Sequence, residues 1–169
     1  MNAKLNALNI VLIGMPGSGK TTVGMELAEL TGRPLVDLDE NIVRLTGRSI
    51  MEIFQTDGEA EFRRLEREQV ALAGQGSGAI IVPGGGMVKD PNNYPHLHRN
   101  GRIYHLERDL SLLAREGRPL SLSGDLEAMY RERLPLYTRF RDAVVWNNAT
   151  PREAAEALWR DFRESAGNG

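Results

Sequence analysis

Apolar residues gather in five short runs rich in β-branched side chains: "NIVLI" at 9–13, "PLVDL" at 34–38, "AIIV" at 79–82, "RIYHL" at 102–106 and "AVVW" at 143–146. None alternates cleanly with polar residues. Uninterrupted apolar runs suit strands covered on both faces, as in a parallel sheet. Between them the pattern turns helical. Val23, Leu27, Ala28 and Leu30 share one side of 19–31, and Phe62, Leu65 and Leu72 stand near helical spacing in 57–73. Residues 125–140 and 151–164 read as helices too, the second opening on Thr150 as N-cap with Pro151 and Glu153 behind it. Two segments, 84–95 and 116–125, read as loops, and the tail "SAGNG" as frayed. Strand alternating with helix predicts a doubly wound α/β fold in a single domain spanning 1–169.

The first run leads directly into "GMPGSGKTT", residues 14–22. Gly14, Gly19, Lys20 and Thr21 complete the phosphate-loop pattern, G-x-x-x-x-G-K-T. Glycines at 14, 17 and 19 let successive N–H groups turn inward, and the following helix N-terminus adds to the anion site. Lys20 is placed to reach β- and γ-phosphates, and Thr21 to offer a hydroxyl to Mg²⁺. A strand before and an amphipathic helix after argue against an ordinary glycine turn. The loop says nothing of which molecule receives the phosphoryl group.

Three further features bear on the acceptor. Asp37 and Asp39 end the second run. Two residues apart on an extended chain, both carboxylates fall on one side, where one can face a metal and the other an acceptor hydroxyl. The competing reading makes Asp39 the cap of a following helix; beside a phosphate loop the functional reading is favoured. Glu59, Arg63 and Glu66 stand at i, i+4 and i+7. By themselves they read best as a solvated ion-pair ladder, each pair contributing about 0.3–0.5 kcal/mol. The alternative has Glu66 steadying the Arg63 guanidinium toward a substrate carboxylate. Finally, Gly84, Gly85 and Gly86 follow a strand directly, which suggests a backbone lying close to a small polar ligand.

The chain has 169 residues, a formal net charge of -2 and no cysteine. That balance gives no sign of a nucleic-acid or membrane partner, and disulfides and thiolate metal sites are excluded. No run approaches membrane-spanning length, so a cytoplasmic protein is expected. His96 and His98 fall in a predicted loop and His105 in a strand, which makes no metal-ligand set.

Together these pieces resemble the shikimate kinase family. The resemblance rests on the phosphate loop, Asp37-x-Asp39, the block "F-x-x-x-G-E-x-x-F-R-x-x-E" from Phe54 to Glu66, and the triple glycine. It continues in "RPL" at Arg118 to Leu120 and "R-x-P-L-Y" at Arg133 to Tyr137. It implies a three-layer α/β/α sandwich around a five-stranded parallel sheet. It also implies ATP-dependent phosphorylation of the 3-hydroxyl of shikimate to shikimate 3-phosphate, a step of aromatic amino acid biosynthesis, by a monomer.

The implied roles follow residue by residue. Gly14, Gly17, Ser18, Gly19, Lys20, Thr21, Thr22, Arg118 and Pro151 contact ATP, and Thr21 and Asp37 attend Mg²⁺. Asp39 orients the acceptor hydroxyl within an acceptor region at about 37–66. Arg63 and Arg133 grip the carboxylate, and Gly84, Gly85 and Gly86 line the same pocket. Arg118 sits on a lid at about 117–125. Lys20, Asp39 and Arg118 carry the catalysis. The chain departs from the family in a short segment before Arg118, where Arg115 is the candidate to stack on adenine, in Ser121, and in Pro83 before the triple glycine. The rival readings are a gluconate kinase on the same fold and a nucleotide-binding module without catalysis.

Overall fold

The computed structural model describes residues 3–113 and 123–167. Five strands, Asn9–Ile13 (β1), Leu35–Asp37 (β2), Ile80–Val82 (β3), Gly101–Glu107 (β4) and Ala143–Trp146 (β5), form one parallel sheet in the order β2-β3-β1-β4-β5. The helices are Ala3–Ala7 (α1), Lys20–Thr31 (α2), Leu38–Thr46 (α3), Ile50–Asp57 (α4), Glu59–Gly74 (α5), Asn93–His98 (α6), Leu110–Leu113 (α7), Ser123–Phe140 (α8) and Pro151–Gly167 (α9).

The absence of alternation in the strands has a direct cause. Ile10 and Leu12 of β1 pack with Val23 and Leu27 of α2 and Ala155, Leu158 and Phe162 of α9. Val11 and Ile13, pointing the other way, pack with Val70 of α5, Leu97 of α6 and Tyr137 and Phe140 of α8. Both faces of β1 are therefore dry, whereas the edge strand β5, expected to be covered on both faces, leaves Val144 and Trp146 exposed; the three-layer sandwich is the observed architecture. A smaller cluster of Ile42, Ile53 and Phe62 joins α3, α4 and α5.

Several expectations need correction. β2 ends at Asp37, and α3 begins at the next residue, so Asp39 lies in a first helical turn rather than on an extended chain. The cap of α3 is Asp37, whose Oδ1 accepts the Glu40 N–H at 3.1 Å, and not Asp39. Leu72 is 62% exposed; the inward side of α5 carries Phe62, Glu66, Gln69 and Val70. Polar residues turned inward had shifted the phase of the apolar pattern. His96 and His98 lie on α6, with His98 stacked on Tyr94. The expected loop at 84–95 contains a 3₁₀ turn, Met87–Lys89, and the start of that helix. Ser165 to Gly167 continue α9 rather than fraying. Within the expected lid, residues 123–125 open α8. Residues 117–122, with Arg118 and Ser121, and also Arg115, lie outside the described residues. The expected helix start at Thr150 holds: Glu153 N–H donates to Thr150 Oγ1, and Thr150 N–H to a Glu153 carboxylate oxygen, each at 3.2 Å.

Candidate active site

All the chemistry-bearing residues that the structure describes collect at the carboxyl ends of the strands, where parallel sheets bind ligands. The phosphate loop leaves β1 with Gly14, Gly17 and Gly19 at φ of 154°, 82° and 94°. Gly19 caps α2 in the left-handed region, which an L side chain rarely adopts. Gly17, Gly19, Lys20, Thr21 and Thr22 line a depression of about 240 Å³. Lys20 Nζ folds back onto the Gly14 and Met15 carbonyls, at 2.8 and 2.9 Å. Thr21 Oγ1 donates to Asp37 Oδ2 at 3.0 Å, so Asp37 caps α3 and meets the helix of the phosphate loop at once. Ser18 is buried behind the loop, while Thr21 and Thr22 are exposed. Pro151 opens α9; its neighbour Arg152 pairs with Glu26 of α2 at 3.3 Å, which sets that end of α9 beside the phosphate-loop helix.

The residues expected to meet the acceptor gather around α5. Arg63 Nη1 donates to Glu66 Oε1 at 2.8 Å, and Glu66 is 1% exposed. Glu59, 3.4 Å from Arg63 Nη2, is the exposed outer partner. A solvated ladder is thereby set aside in favour of a buried pair with one open flank. Burial pushes the Glu66 carboxyl up against the opposing pull of Arg63. Asp39 is likewise raised, by burial first and by Asp37 next, while Lys20 and Arg63 draw it down.

The three consecutive glycines now have separate steric reasons. None has a positive φ. A Cβ on Gly84 would stand 2.9 Å from Asp39 Oδ1 and 3.2 Å from Glu66 Oε2. On Gly85 it would meet Pro16 and the Gly14 carbonyl, and on Gly86 it would come within 2.5 Å of Arg63 Nη2. The glycines admit the charged heads of Asp39, Glu66 and Arg63 against the backbone.

Asp39 Oδ1, Arg63 Nε, Glu66 Oε2 and Arg133 Nε are buried and have no protein partner. Arg133, on α8, is 8% exposed, and its charge reaches Glu66. Unpaired buried polar atoms are costly, and so many in one place describe a surface shaped for a ligand that carries both donors and acceptors. Asp39, Arg63, Gly84, Gly85, Gly86 and Arg133 thus fall on one side of the phosphate loop.

Three contributors were not anticipated from the sequence. Asn147, after β5, donates from Nδ2 to the Ser18 carbonyl at 2.9 Å and would obstruct any side chain at 19. Arg108 donates to the Gly17 carbonyl at 3.1 Å. The Tyr137 hydroxyl donates to the Gly85 carbonyl at 2.7 Å. Only their position just past a strand end, or on the helix facing it, could have signalled them.

A family model described as shikimate kinase matches residues 16–163. The chain belongs to the shikimate kinase family. A shikimate kinase of Coxiella burnetii is 35% identical over 174 residues, which covers 96% of this chain and 97% of that one. A shikimate kinase of Symbiobacterium thermophilum is 45% identical over 102 residues, 60% of this chain and 59% of that one. Among solved structures, the shikimate kinase of Acinetobacter baumannii in complex with shikimate superposes with a TM-score of 0.90 at 28% identity, covering 96% of this chain and 97% of that one. In this shikimate kinase family member, Gly86→Ala strains no backbone but displaces the Arg63 guanidinium. Steady-state kinetics should show KM for the carboxylate-bearing acceptor raised on the order of tenfold to a hundredfold, with KM for nucleotide little changed.

Proposed function

We propose that this chain acts as one kinase domain that transfers the γ-phosphoryl group of ATP to the 3-hydroxyl of shikimate. The observation that supports it most is the Arg63–Glu66 pair buried beside Asp39, one strand end away from a complete phosphate loop. The forked Arg63 head, with Arg133, meets the substrate carboxylate. Asp39 accepts a hydrogen bond from the attacking hydroxyl and orients it. The hydroxyl oxygen forms the new bond to phosphorus as the bond to the bridging β-phosphate oxygen breaks. ADP leaves, and the proton passes to Asp39 late in the transfer. A carboxylate whose affinity for protons is raised by burial suits that last task.

Lys20 leaves its two carbonyl partners to follow the β- and γ-phosphates. Thr21 at the N-terminus of α2 and Asp37 at the end of β2, hard oxygen donors 3.0 Å apart, would hold a Mg²⁺ ion. When bound, that ion neutralises charge on the transferring group. Among the described residues no cluster of three or more His, Cys, Asp and Glu side chains offers a separate metal site. Arg118, outside the described residues, keeps the role of stabilising the transferred group. Gly14, Gly17, Ser18, Gly19, Thr22 and Pro151 surround the nucleotide. The monomeric state and a cytoplasmic setting belong to the same reading. No helix among the described residues is long and apolar enough to cross a membrane.

The test is ATP turnover against a panel of hydroxy-carboxylic acids. Turnover with shikimate and none with gluconate is expected. Turnover with gluconate instead would move the assignment to the rival kinase, and none with any acid would favour a binding module. Arg63→Ala should weaken shikimate binding by roughly 2–4 kcal/mol while ATP binding is nearly unchanged. Calorimetry showing unaltered shikimate affinity would return Arg63 to a purely structural ion pair.

A further inference from the structure

Two buried titratable side chains take no part in this chemistry. His105, 1% exposed, and Glu107, 5% exposed, sit two residues apart on β4 and so share one face of it. Arg141 Nη1 lies 3.1 Å from His105 Nδ1. A guanidinium can only donate, so Nδ1 accepts, and the ring proton sits on Nε2, 3.5 Å from Glu107 Oε1. Burial, with the positive charges of Arg141 and Lys20, pushes the imidazole down to about 4 and keeps it neutral. The Tyr130 hydroxyl completes the chain, 3.2 and 3.3 Å from the two Glu107 oxygens. The Tyr137 ring packs on His105 at 4.8 Å while its hydroxyl reaches Gly85.

Tyr130, Arg133 and Tyr137 stand at i, i+3 and i+7 on α8, within a face that also turns Leu126 and Phe140 inward. β4 therefore holds that face in two places, one turn before Arg133 and one turn after it. Arg133 shares a side-chain hydrogen bond with Tyr137, while its Nε is buried without a partner. Aiming a long arginine at a carboxylate requires that the rotation and depth of its helix, and here the Tyr137 that bonds it, be held in place. We propose that Glu107 and His105 are positioning residues for Arg133. They clamp Tyr130 and Tyr137 to β4, and the clamp presents the Arg133 guanidinium to the carboxylate of the acceptor. The inference rests on the reading of Arg133 as an acceptor contact.

The test compares kcat and both KM values in Tyr130→Phe, Arg133→Met and the double variant. Tyr130→Phe keeps the ring packing and loses only the hydroxyl; Arg133→Met keeps the apolar stem. Tyr130→Phe should raise KM for shikimate about three- to tenfold while leaving KM for ATP within about twofold. In the Arg133→Met background the same change should matter less than about twofold, because the group being positioned is gone. Glu107→Gln, which still offers the phenol an acceptor, should fall between wild type and Tyr130→Phe. An undiminished effect in the Arg133→Met background, or an equal rise in both KM values, would overturn the clamp. So would a silent Tyr130→Phe beside a damaging Arg133→Met, with Arg133 keeping its role. An Arg133→Met protein with unchanged KM for shikimate would instead overturn the reading of Arg133 and the clamp with it.

Discussion

A carboxylate at 1% exposure, Glu66, held 2.8 Å from Arg63 three residues before it on α5, organises the charged cluster proposed to meet the acceptor. Taking that charge out of water is expensive, and removing its partner would leave it uncompensated. The pair is tolerated because Arg63 bonds it and because Arg133, from the opposite helix, adds a second positive charge nearby. Arg63 is thereby fixed with one edge committed to Glu66 and its Nε edge still open. Asp39 is drawn into the same cluster, where Lys20 and Arg63 offset part of its burial. Carboxylates and cations from α2, α3, α5 and α8 thus meet where the strands end, and the backbone of Gly84 to Gly86 gives them room.

The sheet makes that meeting possible. With β1 between β3 and β4, the phosphate loop emerges flanked by the triple glycine on one side and by Leu106, Glu107 and Arg108 on the other. A Cβ at Gly14 would meet the Leu106 carbonyl at 2.6 Å, and one at Gly85 would meet Pro16 at 2.9 Å, so the loop is pressed between its neighbours. Asn147 and Arg108 then tie two loop carbonyls to the β4–β5 side. The proposed nucleotide and acceptor sites thus share one edge of the sheet.

Much of this was legible in the sequence. The five strands, the parallel sheet and the phosphate loop follow from apolar runs and fixed glycine spacing, features decided locally. The functional reading of Glu66 was legible only as one of two alternatives, because a helical i, i+3 pair looks the same whether solvent or protein surrounds it. Glycines 84 to 86 read in the sequence as lying close to a small polar ligand; the structure sets them against the protein's own Asp39, Glu66, Arg63 and Pro16. The errors have a common origin. Leu72 reads as inward and Glu66, taken by itself, as solvated, because α5 reverses the usual relation between polarity and burial: Leu72 is exposed and Glu66 buried. Asp39 was placed on a strand because Asp37 caps α3 one residue sooner than the apolar pattern ends. Tyr130, Asn147 and Arg108 act through contacts with residues distant in sequence, and nothing beside them along the chain marks those partners.

In the proposed function, the buried, unpaired Nε–H groups of Arg63 and Arg133 serve one carboxylate-bearing acceptor. Nitrogen-15 NMR of the arginine Nε–H groups, assigned with Arg63→Lys and Arg133→Lys proteins, tests it most directly. Addition of shikimate alone should shift both resonances and slow their exchange with water, whereas its methyl ester should do so much more weakly. Unmoved Arg63 and Arg133 signals at saturating shikimate would rule out both arginines as acceptor contacts.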